Sequence, residues 1–137
     1  MRWIVALLAL LGLLAAAAAL REHYRTEPSP CSINDKWDCG EVNHSPYAML
    51  GRLPVADIGI AGYLLIGLLA LKRAWRITFL AAVMGLGFSL YLTYIEARVL
   101  QIWCIYCVIS LSMISLITAL TFIMAIKTSK SSSAARA

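Results

Sequence analysis

Charge is scarce in this sequence, and so are the residues that ligate metals. Asp, Glu, Lys and Arg make up only 14% of the 137 residues, against 61% hydrophobic residues and a mean hydropathy of +0.79. An apolar share that high lies above the range of ordinary soluble domains, so a membrane protein is the first reading. The sequence holds two histidines, neither at finger spacing to a cysteine pair, and Cys31 and Cys39 stand too far apart for a structural zinc knuckle. No metal is expected. Period-two alternation is missing from the apolar runs, which excludes half-buried strands. The net charge of +5 is not laid along one face but broken into short clusters beside apolar segments. Such clusters orient membrane helices, and no nucleic-acid partner is expected.

What is present is four long apolar runs: Trp3 to Leu20, Leu53 to Leu71, Ile77 to Val99 and Trp103 to Ile126. Crossing a ~30 Å hydrocarbon core at about 1.5 Å per residue takes roughly 20 residues, and each run comes near that. A helix satisfies its own backbone in lipid, whereas an isolated strand cannot. Lys72, Arg73 and Arg76 crowd the short link between the second and third runs. Lys127, Lys130 and Arg136 fill the C-terminal tail, and Arg2 precedes the first run. Short loops rich in Lys and Arg stay in the cytoplasm, so both termini and the Lys72–Arg76 link are expected there. The stretch from Arg21 to Arg52 and the Leu100–Trp103 junction then face outward. The first run also has features of a cleaved leader, with Arg2, an apolar run and an alanine-rich end at Ala15–Ala19. Residues 129–137 are small and polar, and a disordered cytoplasmic tail is expected after a single domain over 1–128.

That topology gathers all four cysteines on the outer, oxidising side. Cys104-Ile105-Tyr106-Cys107 is a C-x-x-C whose two sulfurs share a helix face. The first sits near a helix N-terminus, where backbone amides favour the thiolate that attacks disulfides. Read alone, the pair is also compatible with two small buried hydrophobes. Cys31 and Cys39 flank a polar stretch with Pro28 and Pro30 before it and Gly40 after it, a loop that a partner protein can reach. Read alone, they are also compatible with a static disulfide. Taken together, a loop pair and a membrane-edge C-x-x-C have the layout of an electron relay.

With Cys31, Cys39, Ser45, Pro54, Gly59, Tyr63 and the Cys104–Cys107 pair in these positions, the chain resembles the vitamin K epoxide reductase family, in its bacterial branch. The resemblance implies an all-α fold: an integral membrane four-helix bundle with a long extracytoplasmic loop containing a short helix. It implies that Cys31 meets a partner's thiolate, that Cys39 passes electrons to Cys104, and that Cys107 lies beside a quinone. Ser45 matches the family's hydroxyl residue in the helix that caps the quinone pocket, and Ser45 to Leu50 reads as that helix, with Ser45 as N-cap and Pro46 first. Vertebrate members hold vitamin K with an asparagine before the second helix and a tyrosine after the C-x-x-C. Here Val55 and Ala56 stand near the former position, without an asparagine, and Leu111 occupies the latter. A respiratory quinone, ubiquinone or menaquinone, is therefore expected rather than an epoxide. The expected partner is a separate periplasmic thioredoxin-like protein of DsbA type, and the expected setting is the bacterial inner membrane. The runners-up are a quinone or vitamin K epoxide reductase and a non-enzymatic membrane scaffold.

Trp103 and Tyr106 fit either the quinone pocket or an interfacial aromatic belt, with Trp3 and Trp75 in the belt. Asp57 and Glu96 are the acids in or near apolar segments, and both read as interfacial, with Arg98 in reach of Glu96. His44 reads as a loop histidine.

Overall fold

The structure, a computed structural model, describes residues 1–24, 37–38, 46, 49–50 and 52–136. Four helices organise it: α1 (Arg2–Tyr24), α2 (Val55–Leu71), α3 (Trp75–Ile95) and α4 (Ile105–Arg136). Three stretches, Arg2–Tyr24, Trp75–Leu100 and Ile105–Ser131, are long and apolar enough to cross a membrane. α2 has 17 residues, or about 25 Å, and falls short of that length. Its start is set by Pro54, which stands at the N-cap and cannot sit deeper in the helix. Asp57 in its first turn complements the positive end of the helix.

α2 turns into α3 through Lys72–Ala74. Arg73 takes a left-handed backbone (φ 59°), and the Lys72, Arg73 and Ala74 amides close back on Leu68, Ala70 and Leu69. A link this short makes the two helices antiparallel neighbours. Before α2, Met49–Leu50 (β1) pairs antiparallel with Leu53–Pro54 (β2) in a two-residue ladder. The helix expected from Ser45 to Leu50 therefore does not reach its end. Pro46 lies in a 3₁₀ turn, Met49 and Leu50 are extended, and Ser45 lies outside the described residues. The Gly51-Arg52 sequence between the strands has the two-residue length and leading glycine that tight hairpins favour.

Small residues let the helices close up. A side chain at Gly59 would meet the Ala16 Cβ at 3.4 Å, and one at Gly67 the Ala9 Cβ at 3.7 Å, so α1 and α2 approach backbone to backbone. α4 packs on both α1 and α3. The core runs through Val5, Ile66, Ala82, Ile114 and Ile117, with Trp75 buried in it rather than at an interface. Leu7, Leu14, Leu64, Leu68, Leu80 and Phe122 point outward, leaving the outside of the bundle as apolar as its inside. Such a surface suits lipid and not water. α4 continues through residues 129–136, where a disordered tail is expected; no glycine or proline stops it there.

Candidate functional site

The site grows from the join between α3 and α4. After Ile95 the helix widens into a π-helical turn, Glu96–Leu100, and Gln101 ends it in a left-handed conformation (φ 56°). The Gln101 and Ile102 amides both return to the Glu96 carbonyl, the latter at 3.2 Å. Wide turns of this kind recur at functional sites, because they re-aim side chains without breaking the helix. Here the turn carries Glu96 inward. It is 3% exposed, and its carboxylate accepts the Cys104 amide at 3.4 Å.

Cys104 is the N-cap of α4, its carbonyl taking the first helical bond from the Val108 amide at 3.1 Å. Its side chain is fully buried, and its sulfur accepts the backbone amides of Tyr106 and Cys107, as a capping oxygen would. Cys107 follows on the same face. The two side chains are thiols, not bonded to each other, and hydrogen-bond through the Cys107 proton. That bond is the largest influence on Cys104 and pulls its pKa below that of an ordinary thiol. The Cys107 and Tyr106 amides add to it, while burial and the Glu96 charge work against it. Cys104 is thus the sulfur of the pair built to carry negative charge.

Behind the pair lies a cavity of about 550 Å³ between the four helices, within the size range of small-molecule sites. Its wall is mostly hydrocarbon, with Cys107 and Glu96 at one end and Met84, Phe88 and Tyr106 along it. Hydroxyl groups are also fixed in the wall: Thr93 donates to the Ser89 carbonyl at 2.8 Å. The Tyr63 hydroxyl donates to the Ser110 carbonyl at 2.7 Å and shares a hydrogen with the Ser110 hydroxyl at 2.8 Å. The Tyr63 ring lies against Gly12, where any Cβ would clash with it.

A second tie reaches this end from the long loop. The Asp38 amide donates to the Trp103 carbonyl at 3.1 Å, and the Trp37 and Trp103 rings lie 6.3 Å apart. Cys31, Cys39 and Ser45 lie outside the described residues. Of the aromatic and aliphatic residues expected at a quinone, Tyr106 is in the cavity wall. Trp103 lies against Trp37, and Leu111 packs on the bundle core; neither is a wall residue. Glu96, expected at the interface beside Arg98, is buried against the cysteine pair, while Arg98 is exposed. Among the described residues no group of His, Cys, Asp and Glu could hold a metal. Sequence reading passed over Ser110, although it stands three residues after Cys107 and so on the same helix face.

Paired thiols at the end of a helical membrane bundle, opening on an apolar cavity, define a membrane redox protein. The chain belongs to the vitamin K epoxide reductase family, whose model matches residues 3–122 and so spans all four cysteines. Membership makes it a membrane oxidoreductase. No curated protein matches the sequence closely enough to count as a relative.

Proposed function

We propose that the chain reoxidises a DsbA-like thioredoxin-fold partner and delivers the electrons to a membrane quinone. The partner's thiolate attacks the Cys31–Cys39 disulfide and leaves oxidised. The Cys39 thiolate then opens the Cys104–Cys107 disulfide and forms a new bond to Cys104, and the loop disulfide closes again as Cys104 leaves. A quinone supplies the two-electron, two-proton acceptor for the remaining dithiol. The observation that carries this reading is the mostly hydrocarbon cavity with Cys107 in its wall. Tyr63, Met84, Phe88, Tyr106 and Ser110 would hold the ring there, in a volume and polarity that fit it. The Asp38–Trp103 hydrogen bond supports the order of exchange, because Cys39 and Cys104 are the next residues along each chain segment. The basic residues at Lys72–Arg76 and in the tail support termini in the cytoplasm and cysteines on the outer face of the cell membrane.

Anaerobic mixing of the purified protein with a reduced DsbA-like protein and a soluble ubiquinone or menaquinone analogue tests the reading. Quinol should form in step with partner disulfide, and Cys39→Ala mixed with the oxidised partner should trap a mixed disulfide, the Cys31 thiolate opening the partner's disulfide. Quinone left oxidised in the presence of reduced partner would refute it. A reporter active only in the periplasm, fused after Ala137, should stay silent.

A further inference from the structure

Glu96 is a carboxylate inside an apolar wall, 3% exposed. A charge in such a place is costly unless it has partners and a task. Its described partners are the Cys104 amide and the Cys107 thiol. The Cys107 thiol has one proton and two acceptors within reach, the Cys104 sulfur and the Glu96 carboxylate. Handing that proton to Cys104 leaves Cys104 an uncharged thiol. Handing it to Glu96 leaves both sulfurs able to form their bond.

We propose that Glu96 is the proton acceptor of the cysteine pair, taking the Cys107 proton when the dithiol is oxidised. The assignment rests on the redox reading above and adds the path of the proton to it. Oxidation of the pair removes two electrons and two protons, breaks two S–H bonds and makes one S–S bond. One proton leaves Cys107 for a Glu96 oxygen as the Cys107 sulfur becomes a thiolate. The other leaves the Cys104 thiol for the oxidant, and the Tyr106 and Cys107 amides stabilise the thiolate left behind. Both protons and both electrons end on the acceptor that the cavity admits. Glu96 then returns to the carboxylate, and its bond to the Cys104 amide holds it in place through the cycle. A glutamate lodged for packing alone would have no reason to face the sulfur of the pair that lines the cavity.

The test compares wild type, Glu96→Gln and Glu96→Asp in single turnovers of the pre-reduced protein. Glutamine keeps an oxygen for the Cys104 amide but cannot take a proton; aspartate remains an acid on a shorter stem. Two oxidants are used: a soluble quinone analogue, and a small aromatic disulfide, which needs the same deprotonation of Cys107 and is released as two thiols. Glu96→Gln should react about 100-fold slower with both, the usual size of a lost general base, with quinone-analogue affinity within about threefold. Glu96→Asp should recover part of the rate. Rates within twofold of wild type for Glu96→Gln with both oxidants would overturn the assignment. So would a loss confined to the quinone, which would make Glu96 a quinone contact and not the acceptor for Cys107. If wild type ignores the quinone but Glu96→Gln still slows the disulfide, the quinone reading fails and the role of Glu96 stands. Should Glu96→Gln fail to fold, wild type itself decides: disulfide reduction equally fast in light and heavy water would overturn the assignment, and a slower rate in heavy water would support it.

Discussion

Replacing Gly12 by alanine probes the wall of the cavity from behind. The new methyl group would fall within the Tyr63 ring, which is 5% exposed and held by its hydroxyl to Ser110. Two responses are open. If the ring stays, the overlap costs about 1–3 kcal/mol, as overpacked cores do. If it swings into the cavity, the bond to Ser110 is lost, at about 0.5–1.5 kcal/mol. Alanine also gains about 1 kcal/mol over glycine in any helix interior, and a control must remove that gain. Gly87→Ala does so: it lies in α3, where a Cβ meets nothing within 4 Å. The difference between the two variants then isolates the clash, and Gly12→Ala should be less stable than Gly87→Ala by about 0.5–3 kcal/mol, according to which response the ring takes. Thermal unfolding in detergent, followed by tryptophan fluorescence, should put it several degrees lower. In a Tyr63→Ala background the ring is gone and the difference should vanish, a coupling of the size found between touching residues. Equal midpoints for Gly12→Ala and Gly87→Ala would refute the packing described, and with it the position of Tyr63 in the cavity wall.

Three further outcomes follow from the geometry. Cys107→Ala removes the largest influence lowering the pKa of Cys104, so the Cys104 thiolate, followed by its ultraviolet absorbance, should appear at higher pH than in wild type; Cys107→Ser, which keeps a donor, should shift less. Tyr63→Phe should cost about 0.5–1.5 kcal/mol in denaturant unfolding, the size of one neutral hydrogen bond, with the fold retained. Ile117→Ala, at a fully buried position in the core between α4 and its neighbours, should cost about 2–5 kcal/mol by the same measurement, and a cost under 1 kcal/mol would contradict that packing.

The helices were legible because lipid leaves so few alternatives: long apolar runs must be helical, and their ends fall within a few residues of the basic clusters and prolines. The C-x-x-C was legible for the same reason, since its spacing works only on one helix face. Glu96 was seen but sent to the interface, because counting along an α-helix does not anticipate a π turn. Trp103 was weighed for the pocket on its closeness to Cys104 in sequence. In space it belongs to a tie with Trp37, a long-range pairing that no local pattern encodes. The short length of α2 could have been read from Pro54, which limits how far back the helix can extend.

The turn at Glu96–Leu100 makes distance along the chain part of the active chemistry. In an α-helix each residue advances the direction of a side chain by about 100°. Losing one residue between Glu96 and Cys104 would restore an ordinary helical register and swing the carboxylate around the helix, away from the sulfurs. Every basic cluster and cysteine motif would survive that deletion untouched, and the third apolar run would lose one residue at its end. Two chains could then look alike by composition and motif while only one keeps an acid against its thiols. The interval of eight residues from Glu96 to Cys104 is accordingly a signature in its own right. A deletion of Val99 should leave a folded bundle that binds its oxidant but reacts as slowly as Glu96→Gln, whereas inserting a residue after Lys127, beyond the site, should leave the rate alone.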